Sequence, residues 1–261
     1  MSAREIVRLM NEEEFAVIKA LQEAEKPLAQ AAERAAAAFR QGGRVIYVGA
    51  GTSGRVAAMD AAEMPPTFGI EPSSFVALIA GGSGSQTTAK EDAEDSEHEA
   101  ILALNDMSVT PIDVVIGIAA SGRTPFVVAA VRHARQKGLW TCGIVNNADT
   151  PLYKAADLGI LLNTGPEVLT GSTRLKAGTS QKLALNRIST VAMVLSGKVI
   201  ENLMVDVKAN NQKLKERCAR IVKDLTNATF DEAWEQLDKN HWSVRKVVAL
   251  LNEPAPTAAK P

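Results

Sequence analysis

A glycine-rich turn early in the chain carries groups that could hold a phosphate. The segment YVGAGTSGRV (residues 47–56) fits the pattern G-x-G-x-x-G, and it is typical of a strand end that runs into a helix. In such a turn, backbone N–H groups and the positive end of the helix dipole face an anion. Gly51, Thr52 and Ser53 lie at its centre, and the two hydroxyls add further donors. The turn therefore predicts an anion site and leaves open which phosphate it holds.

The same pattern occurs in dinucleotide-binding proteins, but the second element of a dinucleotide site is missing. Such a fold places an acidic residue about 20 positions further on, at the tip of the second strand, where it binds the ribose. Here the second strand ends in LIAGG (residues 78–82), which has no Asp or Glu. This absence argues against NAD as a cofactor.

A second loop repeats the chemistry of the first. AASGRTP (residues 119–125) follows another apolar strand and shares the Ser-Gly-Arg sequence of the first turn. Because parallel strands end at the same edge of a sheet, Ser53, Ser121 and Thr124 could converge on one compact phosphate. A third hydroxyl-rich stretch, TGSTR (residues 170–174), opens a long helix. Each hydroxyl alone could be no more than a helix N-cap, but the three stretches together favour a phosphosugar site.

Two glutamates are the candidates for acid–base chemistry. Sugar reactions often need only one carboxylic acid and one carboxylate base. Glu63 precedes Pro65 and Pro66, which we expect to end the first helix after the turn, and Glu94 lies in an acidic run at the start of a helix. Taken alone, either could be a solvated carboxylate at a helix end. The sequence has no metal-ligand motif and no nucleophile elbow, and its three histidines stand apart from one another.

These groups must be positioned by the strands and helices of the fold, which alternate along the chain. Five apolar stretches predict strands: RVIYVGA, SSFVALIAGG, DVVIGIAAS, WTCGIVNN and DLGILLN. This alternation predicts an α/β fold with a parallel sheet and helices on both faces. We also expect two helices in residues 1–43, one helical stretch from about Thr173 to Val207, and two short helices in residues 227–251.

The expected domain organisation follows from these elements. Residues 1–43 form N-terminal helices that pack on the core, and residues 44–207 form the α/β phosphosugar-binding domain. Residues 208–251 form a small helical appendage, and the Pro/Ala-rich residues 252–261 are expected to be disordered. The apolar helix after Thr173 could be a dimer surface or part of the core.

Composition excludes several classes of protein. The chain has 261 residues, of which 46% are hydrophobic, and its formal net charge is −1, so we expect no nucleic-acid partner and no membrane partner. The N-terminal residues lack a long apolar run, so neither a signal peptide nor a membrane anchor is expected. Cys142 and Cys218 lie far apart and predict buried, reduced thiols, which is typical of a cytoplasmic protein.

Five segments carry a resemblance to a known family: YVGAGTSGRVAAMDAAEMPPTFG, AEDS, VVIGIAASGRTP, EVLTGSTRLKAGTSQKLALN and GKVIENLMVDV. Together they resemble the N-acetylmuramic acid 6-phosphate etherases of the sugar-isomerase (SIS) superfamily, from about Ile6 to Leu251. The resemblance implies the SIS fold, a five-stranded parallel sheet between helices, and a cytoplasmic homodimer that needs no metal or organic cofactor. It implies cleavage of the D-lactyl ether of N-acetylmuramic acid 6-phosphate, a reaction of cell-wall recycling, to give N-acetylglucosamine 6-phosphate and D-lactate.

The resemblance also assigns roles to residues. Glu94 corresponds to the base that removes the C2 proton of the ring-opened sugar, and Glu63 to the acid that protonates the departing lactyl oxygen at C3. Water then adds to the unsaturated aldehyde. Glu167 corresponds to a carboxylate near the sugar. The expected residues that bind the phosphate and the sugar are Gly51, Thr52, Ser53, Ser121, Gly122, Arg123, Thr124, Glu167 and Ser172.

Two other functions use the same phosphate site. A phosphosugar isomerase would need one carboxylate base for proton transfer between C1 and C2. A non-catalytic phosphosugar sensor, like the vertebrate glucokinase regulator of the same superfamily, would need neither glutamate. The presence of both Glu63 and Glu94 favours the etherase.

Overall fold

The five predicted strands form one parallel sheet. In the computed structural model, which describes residues 1–86 and 91–252, these strands are β1 (Val45–Gly49), β2 (Phe75–Ile79), β3 (Val114–Ala119), β4 (Trp140–Val145) and β5 (Leu158–Leu161). Their order is β2-β1-β3-β4-β5, and every neighbouring pair is parallel. The predicted α/β fold is confirmed.

The strands are buried because helices cover both faces of the sheet, and their apolar sequences reflect this. The helices of this part of the chain are α1 (Ala3–Glu13), α2 (Phe15–Glu23), α3 (Glu25–Arg40), α4 (Gly51–Phe68), α5 (Glu97–Asp106), α6 (Pro125–Gln136), α7 (Pro151–Ala155) and α8 (Lys176–Leu195). On one face, Ile46 and Val48 of β1 pack with Val127 of α6. α3 packs on β1, β3 and β5 and against α8.

Contacts divide the described chain into two units. The first comprises Met1–Glu63 and Glu71–Ser196, and it holds the parallel sheet. The second comprises Met64–Ile70 and the chain from Gly197 onward. It contains a two-stranded antiparallel sheet of β6 (Val199–Ile200) and β7 (Leu203–Met204), followed by α9 (Gln212–Leu225), α10 (Phe230–Lys239) and α11 (Val244–Asn252).

The helical prediction for residues 173–207 is wrong beyond Leu195. Gly197 has φ +71°, a left-handed conformation that ends a helix readily because glycine has no Cβ. The chain then turns back on itself as β6 and β7. The two short helices predicted for residues 227–251 are confirmed as α10 and α11.

The predicted end of α4 at the diproline is also wrong. The helix continues through Pro65 and Pro66 to Phe68, and the N–H of Gly69 donates to the carbonyl of Pro65. Proline removes an N–H donor but keeps a helical φ, so the last turn tolerates two of them at the cost of two helix hydrogen bonds.

Three further expectations concern individual parts of the chain. Cys142 and Cys218 are free and buried, as predicted, and burial raises the pKa of both thiols. Of the tail expected to be disordered, residues 253–261 lie outside the described residues. None of the helices within residues 1–86 and 91–252 combines the length and apolar character that a membrane crossing requires.

Candidate active site

The glycine turn after β1 and the carboxylate of Glu94 lie against each other. Gly51 is the first residue of α4 and has φ +52°. A Cβ atom at Gly51 would lie 3.0 Å from Oε1 of Glu94, which belongs to the short 3-10 helix Glu91–Asp95. Both the backbone conformation and the close carboxylate therefore favour glycine at this position. The structure brings a predicted base to the predicted phosphate turn.

Ser53 joins that turn to α8 through a buried hydrogen-bond network. Its hydroxyl donates to Oε1 of Gln181 (2.8 Å), and Nε2 of Gln181 donates to Oδ1 of Asn146 (3.0 Å). Nδ2 of Asn146 donates to the carbonyl of Leu162 and to the hydroxyl of Ser180. The hydroxyl proton of Ser53 is already donated to Gln181. To donate this proton to a phosphate, the Ser53 hydroxyl would have to give up its hydrogen bond to Gln181.

Gln181 and Asn146 are not among the residues predicted from the sequence. Gln181 is 128 positions from Ser53 in sequence, and no local pattern connects them. Asn146 offered a signal, because it follows β4 directly and therefore lies at the edge of the sheet where ligands of such folds collect.

Thr52 packs against the first turns of α8. A Cβ atom at Gly178 would lie 3.2 Å from Cγ2 of Thr52, so glycine at this position lets α8 approach the turn closely. Together with the contact between Ser53 and Gln181, this packing fixes the turn against α8.

Glu167 is held at the start of α8 by two backbone donors. Its Oε2 accepts from the N–H of Lys176 (3.0 Å) and its Oε1 from the N–H of Ala177 (2.9 Å). The N-cap residue of α8, Leu175, has no polar side chain, so Glu167 takes over the capping role from a distance in sequence. Ser172 lies in the loop between them, and its N–H donates to the carbonyl of Leu169.

The second hydroxyl loop leaves β3, which is the direct neighbour of β1 in the sheet. Gly122 has φ +62°, and a Cβ there would lie 2.2 Å from Oγ1 of Thr150. Ser121 is exposed, and its hydroxyl accepts from the N–H of Arg123 (3.2 Å). Thr124 occupies the N-cap position of α6, but in this described helix its side chain forms no capping hydrogen bond. The hydroxyl of Thr124 is thus not consumed by α6.

Glu63 lies far along α4 from the glycine turn. Twelve residues separate it from Gly51, which corresponds to a helix rise of about 18 Å at 1.5 Å per residue. Its side chain is exposed. The structure therefore does not bring Glu63 to the turn and Glu94 within one chain.

The buried carboxylate of Asp60 holds α4 in place between Gly51 and Glu63. Asp60 accepts hydrogen bonds from the hydroxyl of Tyr47 (2.9 Å), from Nδ2 of Asn186 (2.7 Å) and from the hydroxyl of Ser189 (3.1 Å). Burial raises the pKa of Asp60, and the three donors oppose that shift only in part. Burial likewise raises the pKa of Tyr47, as does the neighbouring Asp60. These contacts tie α4 to β1 and to α8.

One ion pair connects α1 to the start of α8. Lys176 is buried, and its Nζ bonds to Oε2 of Glu13, the last residue of α1. Within the residues that the structure describes, no group of three or more His, Cys, Asp or Glu side chains is placed to hold a metal ion.

The sheet and its two hydroxyl loops define an SIS-domain protein. Residues 27–135 match the family model "Glucokinase regulatory protein N-terminal SIS domain", and residues 95–188 match the model "SIS domain". The fold is similar to that of a phosphoheptose isomerase from Francisella tularensis (16% identity, TM-score 0.57, covering 74% of this chain and 98% of that one). It is also similar to a phosphoheptose isomerase from Neisseria gonorrhoeae (24% identity, TM-score 0.54, covering 75% of this chain and 100% of that one).

Closer relatives define the family within this class. The chain is 48% identical over 251 residues to an N-acetylmuramic acid 6-phosphate etherase from Geobacillus thermodenitrificans, covering 96% of this chain and 85% of that protein. It is 47% identical over 251 residues to an enzyme of the same name from Serratia proteamaculans, covering 96% of this chain and 84% of that protein. The chain belongs to the N-acetylmuramic acid 6-phosphate etherase family, which confirms the resemblance noted in its motifs.

Proposed function

We propose that this protein cleaves the D-lactyl ether of N-acetylmuramic acid 6-phosphate and releases N-acetylglucosamine 6-phosphate and D-lactate. The observation that carries the proposal is the 48% identity to an etherase over 96% of the chain. The carboxylate of Glu94 against the turn at Gly51 supports it, because a base next to a phosphate site is what this chemistry needs.

The phosphate binds between the two hydroxyl loops. The turn at Gly51 to Ser53 supplies backbone N–H groups and the start of α4, and the neighbouring loop supplies Ser121, Thr124 and the start of α6. Both helix N-termini favour a dianion through their dipoles. Arg123 contributes its backbone to the second loop, and its N–H donates to the hydroxyl of Ser121.

Glu94 and Glu63 carry out the chemistry on the ring-opened sugar. The aldehyde at C1 acidifies the proton on C2, and Glu94 removes it while a double bond forms between C2 and C3. The bond between C3 and the lactyl oxygen breaks, and Glu63 gives its proton to that oxygen. Water then adds across the double bond, with its hydroxyl at C3 and its proton at C2, so the glutamates exchange their roles.

Glu63 serves the site of a second copy of the chain. About 18 Å of helix separates it from the turn of its own chain, so it reaches a substrate only if α4 of one subunit points toward the site of the other. We therefore expect a homodimer in which each site combines Glu94 of one subunit with Glu63 of the partner. The expected location is the cytoplasm, where the enzyme would recycle cell-wall amino sugars.

The release of D-lactate from N-acetylmuramic acid 6-phosphate tests the reaction. Glu94→Gln should lower turnover by about 10²–10⁴-fold, the usual effect of losing a general base, while the fold and phosphate binding persist. Folded protein that releases no D-lactate, or that isomerises a ketose phosphate instead, would contradict the etherase assignment.

A mixture of two inactive variants tests the shared site. When Glu63→Gln and Glu94→Gln chains are refolded together in equal amounts, half of the dimers are mixed, and one of their two sites has both glutamates. Activity should therefore return to about one quarter of the wild-type value for a symmetric dimer. No recovery, with mixed dimers demonstrated, would mean that both glutamates act from one chain.

A further inference from the structure

A groove rich in basic side chains runs beside α6 and α7. This open groove has a volume of about 670 Å³, and the charged side chains of its lining belong to Arg123, Arg132, Arg135, Asp149 and Lys154. All of these residues lie in the first unit, on the flank of the second hydroxyl loop. The lining therefore carries four basic side chains and one acid.

Two of the four cations are neutralised and two are not. Nζ of Lys154 lies 3.6 Å from Oδ1 of Asp149, and Nε of Arg135 lies 2.9 Å from Oδ1 of Asp157. Arg123 and Arg132 are exposed, and no acidic side chain within residues 1–86 and 91–252 forms an ion pair with either. A concave surface with this surplus of positive charge attracts anions.

The spacing and composition of the groove define the class of anion. Arg123 precedes the start of α6, and Arg132 lies seven residues after Pro125, a rise of about 10 Å along the helix. Guanidinium groups bind phosphate through paired hydrogen bonds, so two of them on the lining of one groove suit an anion with charge at more than one point. The lining contains no aromatic side chain on which a nucleobase could stack.

We propose that this groove is a second anion site, outside the phosphosugar site, that takes an extended oligophosphate. Arg123 is the residue that links the two sites. Its backbone belongs to the substrate loop, where its N–H donates to the hydroxyl of Ser121. Its side chain lines the groove. Binding to the groove does not require etherase activity, so the proposal stands or falls independently of the reaction.

Calorimetric titration with sodium tripolyphosphate tests the site on the full-length protein. Arg132→Ala should weaken binding about tenfold or more, because a charged hydrogen bond contributes about 1.5–3 kcal/mol. Arg217→Ala is the matched control: it removes an exposed arginine of α9 and should leave the affinity unchanged. Thermal melting of both variants shows that each is folded.

A third variant separates the groove from the substrate loop. Ser121→Ala alters the phosphosugar site and should retain tripolyphosphate binding. No binding by the wild type, or equal affinities of wild type and Arg132→Ala, would overturn the proposal. Binding that is lost in Ser121→Ala but kept in Arg132→Ala would also overturn it, because the tripolyphosphate would then occupy the phosphosugar site.

Discussion

Substitution of Gly51 by alanine tests whether the position of Glu94 depends on the glycine turn. Two effects follow from the added methyl group. Gly51 has φ +52°, a conformation that costs an L-residue about 1–2 kcal/mol. The new Cβ would also lie 3.0 Å from Oε1 of Glu94, so the carboxylate must shift by a few tenths of an ångström.

Gly42→Ala separates the two effects. Gly42 has φ +79°, and no atom lies within 4 Å of a Cβ placed there, so this variant carries the backbone cost without the contact. Both variants should therefore lose about 1–2 kcal/mol of unfolding free energy. Thermal melting should show a decrease of about 2–4 °C for each kcal/mol.

The two variants should differ in activity. A misplacement of about 1 Å can cost about 100-fold in rate, so the smaller shift of Glu94 in Gly51→Ala should lower kcat for D-lactate release by about tenfold. Gly42→Ala should keep the wild-type kcat. Equal kcat values for the two variants would refute the reasoning that the glycine turn positions Glu94.

Two further predictions concern the groups that support the site. Because burial raises the pKa of Asp60 above its ordinary 3.8, its protonated form stabilises the fold, and this contribution is lost as the pH rises through the raised value. The unfolding free energy of the wild type relative to Asp60→Asn should therefore fall as the pH rises above about 3.8 in urea titrations; a constant difference would contradict this. Glu167→Ala removes the cap of α8 and should lower the unfolding free energy by about 0.5–2 kcal/mol, whereas an unchanged value would show that the cap contributes nothing.

The sheet could be predicted from the sequence because buried parallel strands have continuous apolar sequences. The runs around β1 and β3 are examples, and the repeated Ser-Gly-Arg placed their loops at one edge. The network of Ser53, Gln181 and Asn146 could not be predicted, since it joins residues far apart in sequence. Tertiary packing decides such pairs, and a single sequence carries no record of them.

The separation of Glu63 from the turn can be read from the sequence. Once residues 51–63 are recognised as one helix, their number fixes a distance of about 18 Å. The pattern after Thr173 predicts too long a helix, because apolar residues continue beyond Gly197, whose left-handed conformation stops the helix.

Asp60 has a consequence for how two sites would act together. It fixes the middle of α4 to β1 and α8, so the glycine turn and Glu63 lie toward opposite ends of a helix that is anchored between them. In the proposed homodimer, the first turn of α4 would contact the phosphate in one site, and Glu63 would donate its proton in the other. A substrate that shifted this helix in one site would therefore also shift the acid facing the other substrate. Such coupling between sites would bend the dependence of rate on substrate concentration away from a hyperbola.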